Sequence, residues 1–154
     1  MNDAPPDSGE TLTLLLVEDN PGDARLVEEA LSDGRIADSL HVVSTGDEAL
    51  AFVARRGEYA DAPRPDLILL DWNLPGTSGE KVLEELGDDP AVNHIPVVVL
   101  TGSQAETDVV AAYSNHANAC ITKSGDPDAY NETIRAFEEF WLSVAQLPAA
   151  DGDT

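Results

Sequence analysis

The chain has 154 residues, 42% hydrophobic and 25% charged, enough to bury one core and too few for two ordinary domains. Eight Lys and Arg stand against 30 Asp and Glu, a net charge of −22, which repels phosphate backbones and anionic lipid and so argues against direct nucleic-acid or membrane-surface binding. No apolar run of about 18 residues could span a bilayer, no leader opens the chain, and the single Cys120 leaves neither an internal disulfide nor a zinc site. A soluble cytoplasmic protein is expected. The acidity, with only Lys81 and Lys123 left as lysines, points to adaptation to high salt, where a Debye length of about 3 Å at 1 M removes self-repulsion.

Taken in order, residues 1–10 are rich in Pro, Asp, Ser and Gly and are expected to be a disordered lead. An apolar run at 12–17 ends in Glu18-Asp19-Asn20, and Pro21-Gly22 after it reads as a turn or a helix start. A second run, 40–43, is followed by Thr45 and Glu48 at capping-box spacing; a third, 67–70, by Asp71-Trp72-Asn73 and then Thr77 with Glu80. The fourth, 97–100, leads into Thr101-Gly102-Ser103, with Ser103 and Glu106 again spaced as a capping box; the fifth, 119–122, leads into Lys123-Ser124, and Asp126-Pro127 opens a last helix. The domain is expected over 11–147, with a frayed tail at 148–154.

Most of the runs are continuously apolar rather than alternating, as strands buried on both faces of a parallel sheet must be. Five such strands alternating with five helices predict a doubly wound α/β domain, a five-stranded parallel sheet with right-handed crossovers. Ligands in such sheets sit beyond the carboxyl ends of the strands, where strand order reverses. The residues placed there are Glu18, Asp19, Asp71, Thr101 and Lys123. Two carboxylates about 4 Å apart repel by roughly 4 kcal/mol at an effective dielectric near 20, so Glu18, Asp19 and Asp71 call for a divalent cation. Hard oxygen ligands favour Mg²⁺. Lys123 and Thr101 offer an ammonium and a hydroxyl to a phosphoryl oxygen, which makes the set a phosphoryl-transfer site with Asp71 as nucleophile. Singly, Asp71 reads equally as a loop cap, Thr101 as a helix signal and Lys123 as a solvated surface residue; their convergence at the ends of four strands is what carries the functional reading.

The order Glu18-Asp19, Asp71, Thr101, Lys123, with Leu-Leu-Leu-Val-Glu-Asp-Asn at 14–20, Asp-Trp-Asn-Leu-Pro-Gly at 71–76 and Ile-Pro-Val-Val-Val-Leu-Thr at 95–101, resembles the receiver domain of two-component response regulators, from about Thr11 to Leu147. The resemblance implies a flavodoxin-like fold and a phosphoryl group accepted by Asp71 from a sensor histidine kinase. It implies Mg²⁺ on Asp19, Asp71 and the main-chain carbonyl of Asn73, with Glu18 acting through water and with Thr101 and Lys123 on the phosphoryl group. Asn20-Pro21-Gly22-Asp23, Thr122-Lys123-Ser124, Phe140-Trp141-Leu142 and Leu147-Pro148 resemble most the single-domain regulators partnered with phytochrome-type sensor kinases, although related regulators serve other hybrid kinases. Too few residues follow Lys123 for an output domain, so a stand-alone switch of partner binding or self-association is expected.

Two positions depart from the family pattern. Cys120 stands where receivers commonly carry an aromatic residue that couples to the Thr hydroxyl, and Ser124 replaces the common proline after the Lys. Cys120 is expected to be a small core residue, and Trp72, beside the phosphoacceptor, a reporter of the site. In the last helix Tyr130, Ile134, Phe137, Trp141 and Val144 recur at helical spacing, with Phe140 widening the face; a homodimer through Phe137, Phe140, Trp141 and Val144 is expected. Two other functions compete. A Mg²⁺-dependent aspartyl phosphatase would want a second carboxylate two residues after Asp71, where Asn73 stands. A degenerate receiver would act as a phosphorylation-independent interaction module.

Overall fold

The computed structural model describes residues 13–31, 40–113, 117, 119–123 and 126–152, the side chains at 106, 111–113 and 140–152 excepted. Five parallel strands, β1 Leu14–Val17, β2 Leu40–Val43, β3 Leu67–Asp71, β4 Val97–Thr101 and β5 Ala119–Thr122, alternate with five helices, α1 Pro21–Ala30, α2 Gly46–Ala54, α3 Gly79–Asp88, α4 Gln104–Tyr113 and α5 Pro127–Gly152, with a 3₁₀ turn at Gly57–Tyr59 after α2. The sheet order is β2-β1-β3-β4-β5, the doubly wound arrangement expected. Strand order reverses between β1 and β3, which pair in register from Leu14 opposite Leu67 to Val17 opposite Leu70.

The continuous apolar runs have the expected cause. Along β1, Leu15 and Val17 face one layer with Ile68, Leu70, Val97 and Val99, packed under Phe52 of α2, Leu83 of α3 and Val110 of α4. Leu14 and Leu16 face the other, with Leu67, Leu69, Val98 and Leu100, under Val27 of α1 and Tyr130 and Ile134 of α5. Each central strand is therefore buried at every position and apolar up to the Asp71 and Thr101 that end β3 and β4, while the edge strands β2 and β5 are more exposed.

Helix starts follow local chemistry. Asn20 caps α1, its side chain accepting from the Asp23 N–H, with Pro21 in the first turn. Thr45 and Glu48 form the expected capping box on α2. At α3 the cap is Ser78, which accepts from the Lys81 N–H, and not Thr77; the Thr77 hydroxyl is instead donated to Asp47 Oδ1 at 2.7 Å, a tertiary contact that local spacing does not reveal. Pro127 opens α5, with the Asp128 N–H on Asp126 Oδ1 at 3.0 Å. α5 runs on past position 147, where the domain is expected to close. Tyr130 and Ile134 are buried, and Phe137, expected on a dimer face, packs partly against the α1 layer; the side chains of Phe140, Trp141 and Val144 lie outside those described. No helix among the described residues is long and apolar enough to cross a membrane.

Candidate functional site

The carboxyl ends of β1, β3, β4 and β5 meet at the reversal of strand order. Glu18 continues β1 by one residue, its N–H on Val43 O at 3.0 Å, and is 2% exposed. Asp19 follows and is exposed. Asp71 ends β3 at 4% exposure, opposite Leu100 of β4, so Thr101 stands one residue beyond it on the neighbouring strand. Lys123 follows β5, its N–H donated to Thr101 O at 2.7 Å. Carboxylate oxygens of Glu18, Asp19 and Asp71 all lie within 4.8 Å of one another.

The Lys123 ammonium ties these segments together. Its Nζ donates to Glu18 Oε1 at 2.7 Å, Asp23 Oδ2 at 3.0 Å and Asp71 Oδ2 at 3.2 Å. Burial works against its charge, but the hydrogen bond and charge of Glu18, then Asp71 and Asp23, hold it well above its ordinary value. Glu18 shows the opposite imbalance: burial first, then its contact with Asp71, push its pKa up to about 8, while Lys123 pulls it back. One ammonium thus pairs with three carboxylates, Glu18, Asp23 and Asp71, while Asp19 crowds Glu18 and Asp71. Pairs of charges at the observed spacing repel by about 3 kcal/mol or more at a dielectric near 20, so the cluster is short of positive charge.

The oxygen inventory fits a hard cation. Asp71 Oδ1 accepts from the Asn73 N–H at 3.0 Å and Oδ2 from Lys123, and the Glu18 carboxyl also bears on Asp71; an ionised carboxylate has about four acceptor directions, more than these partners use. Glu18 Oε2 accepts only weakly from the Asn20 N–H at 3.3 Å. All donors are carboxylate oxygens, the preference of Mg²⁺, Mn²⁺ and Ca²⁺.

Close backbone packing fixes the Asp71 loop. Gly79 opens α3 against it, and a Cβ at Gly79 would fall 2.6 Å from Asp71 O and 2.8 Å from Trp72 Cα. The loop between them turns at Gly76, with φ +70°. Trp72 and Cys120 are both partly buried and pack on the α2–α4 layer; burial pushes the Cys120 thiol up, but the residue lies half-buried on edge strand β5, at the margin of the core and not within it as expected. Ser124 lies outside the described residues.

Thr101 is fully buried, and its hydroxyl lies 3.3 Å from Ser103 O and 2.6 Å from the Thr107 hydroxyl. Sequence reasoning gave a site role to neither Asp23, noted only within the motif at 20–23, nor Thr107. Asp23 left one signal, an acid in the first turn of the helix that follows the acidic pair; Thr107 left none beyond being a small polar residue one turn into a helix.

The family profile of the response regulator receiver domain matches residues 14–135. The chain is 45% identical over 137 residues to response regulator Rcp1 of Synechocystis sp., an alignment covering 89% of this chain and 93% of the relative. Among solved structures it resembles the phosphorylated cyanobacterial phytochrome response regulator RcpA, at 45% identity and TM-score 0.80 over 87% of this chain and 96% of that one. The Mn²⁺-bound form of Rcp1 matches at 43% identity and TM-score 0.75 over 85% and 94%. With its sheet order, its acidic triad and this match over most of its length, the chain belongs to the response regulator receiver family.

Proposed function

We propose that Asp71 accepts a phosphoryl group from a cytoplasmic sensor histidine kinase and that the protein thereby switches its affinity for a partner or for itself. One observation carries this: a carboxylate 4% exposed at the end of β3 has a lysine ammonium at 3.2 Å and two further carboxylates, Glu18 and Asp19, with oxygens within 4.8 Å. An Asp71 oxygen attacks the phosphorus of a phosphohistidine; an O–P bond forms as the N–P bond breaks, and the departing imidazole takes up a proton. Lys123 stays beside the transferred group and neutralises part of its charge of about −1.5 to −2. The Thr101 hydroxyl offers a further donor. Asp19, Asp71 and the main-chain carbonyl of Asn73 would hold Mg²⁺, with Glu18 acting through water; when bound, the ion supplies the charge that one lysine cannot.

The relatives support the finer assignment. RcpA is described as a phytochrome regulator in phosphorylated form and Rcp1 as binding Mn²⁺, which favours a phytochrome-type kinase as the donor here. Intact-mass measurement after incubation with phosphoramidate and Mg²⁺ tests the chemistry. Wild type gains one phosphoryl group and Asp71→Asn gains none. If wild type stays unlabelled while a control receiver is labelled, the protein is a phosphorylation-independent interaction module instead.

A further inference from the structure

The Thr101 hydroxyl does not stand alone. The Thr107 hydroxyl lies 2.6 Å from it, 3.2 Å from Ser103 O and 2.9 Å from the hydroxyl of Thr122. Three hydroxyls from β4, α4 and β5 thus form one chain with the Ser103 carbonyl beside it. Each hydroxyl has one proton to give. Run in one sense, Thr122 donates to Thr107, Thr107 to Thr101, and Thr101 to Ser103 O, which satisfies every group. Thr101 is fully buried, so no bulk water can replace a partner it loses.

A phosphoryl oxygen only accepts. To serve it, Thr101 must withdraw its proton from Ser103 O and turn it toward Asp71. Thr107 can then turn its own hydroxyl proton from Thr101 to Ser103 O, at 3.2 Å, a carbonyl that also accepts the Thr107 N–H at 3.1 Å. The change reaches Thr122, next to Lys123, and the first turn of α4. It does so past Cys120, where no ring is available to move.

We propose that Thr107 is a positioning residue for Thr101: it holds the Thr101 hydroxyl in the unphosphorylated arrangement and passes its release to α4 and β5 through Thr122. This rests on the assignment of Asp71 as the phosphoacceptor. Cooperative hydroxyl chains are strengthened by their own polarisation, so the three threonines should change together.

The test is hydrogen exchange of segments 104–113 and 119–123, with and without phosphoramidate and Mg²⁺, in wild type, Thr107→Val, Thr107→Ser and Thr122→Val, each sample's labelling checked by intact mass. Val keeps the shape of Thr without its oxygen, and Ser keeps the oxygen. We expect all four to take one phosphoryl group. Phosphorylation changes exchange in both segments of wild type and Thr107→Ser, and that change shrinks about fivefold in Thr107→Val and Thr122→Val, the weight of one net hydrogen bond. If Thr107→Val fails to fold, Thr107→Ser and Thr122→Val decide. An unlabelled wild type refutes the Asp71 assignment itself. A labelled wild type with no change in these segments, or a Thr107→Val response equal to wild type, overturns the role of Thr107 alone. So does a folded Thr107→Val that takes no label.

Discussion

Lys123 and Glu18 carry opposite burdens at the same site. Lys123, 17% exposed in its side chain, is the one cation among the described residues that meets Glu18, Asp23 and Asp71. Removing one partner of a buried ion cluster leaves the others uncompensated, so Lys123→Met should lose about 3 kcal/mol in urea unfolding with chelator present, and Mg²⁺ should restore part of it. Glu18 supplies a pH signature. Its folded pKa, about 8, lies above its ordinary 4.5, so the folded chain binds that proton more tightly than the unfolded chain does. The associated stability is full below pH 4.5 and is lost as pH rises through 8. In chelator, the melting temperature of wild type should therefore fall relative to Glu18→Gln across that window, and Mg²⁺ should flatten the difference. Both residues were legible in the sequence because each follows an apolar run. Asp23 was not: whether an acid in a first helical turn faces solvent or a lysine 100 residues away is decided by where β5 lies, which no local pattern states.

Helices and strands differ in how much of them local sequence determines. The strands could be read from apolarity alone, because both faces of the sheet are covered. The start of α2 could be read from Thr45 and Glu48 because both members of the box act within one turn. The start of α3 could not, since Thr77 and Ser78 both suit a cap and only the distant Asp47 decides between them. That same junction predicts an unequal pair of glycine substitutions. Gly79→Ala puts a methyl into the backbone at Asp71 and Trp72 and should cost about 2–3 kcal/mol by overpacking, with slower labelling of Asp71 because the loop that carries it must move. Gly76→Ala meets no atom within 4 Å but keeps φ +70°, a strain of about 1 kcal/mol, and should label at the wild-type rate. Thermal melting and timed intact-mass measurements on the two variants check both statements.

For the whole molecule, a charge of −22 on 154 residues means that compaction gathers like charge, which screening relieves. The urea midpoint should rise steadily from about 10 mM to about 1 M KCl, over which the Debye length falls from about 30 to about 3 Å, and a flat response would show that the acidic surface is indifferent to salt. The same surface leaves Lys123 among a small number of cations, and the span that lysine bridges has a temporal meaning. It contacts Glu18 across 105 positions and Asp71 across 52, and Glu18, at the end of β1, emerges from the ribosome long before the lysine that completes its site. At about 5–20 residues per second of synthesis, Asp71 spends several seconds in a growing chain with no ammonium beside it. Only a chain synthesised through β5 holds Glu18, Asp71 and Lys123 together, so the site stays incomplete until that strand has emerged.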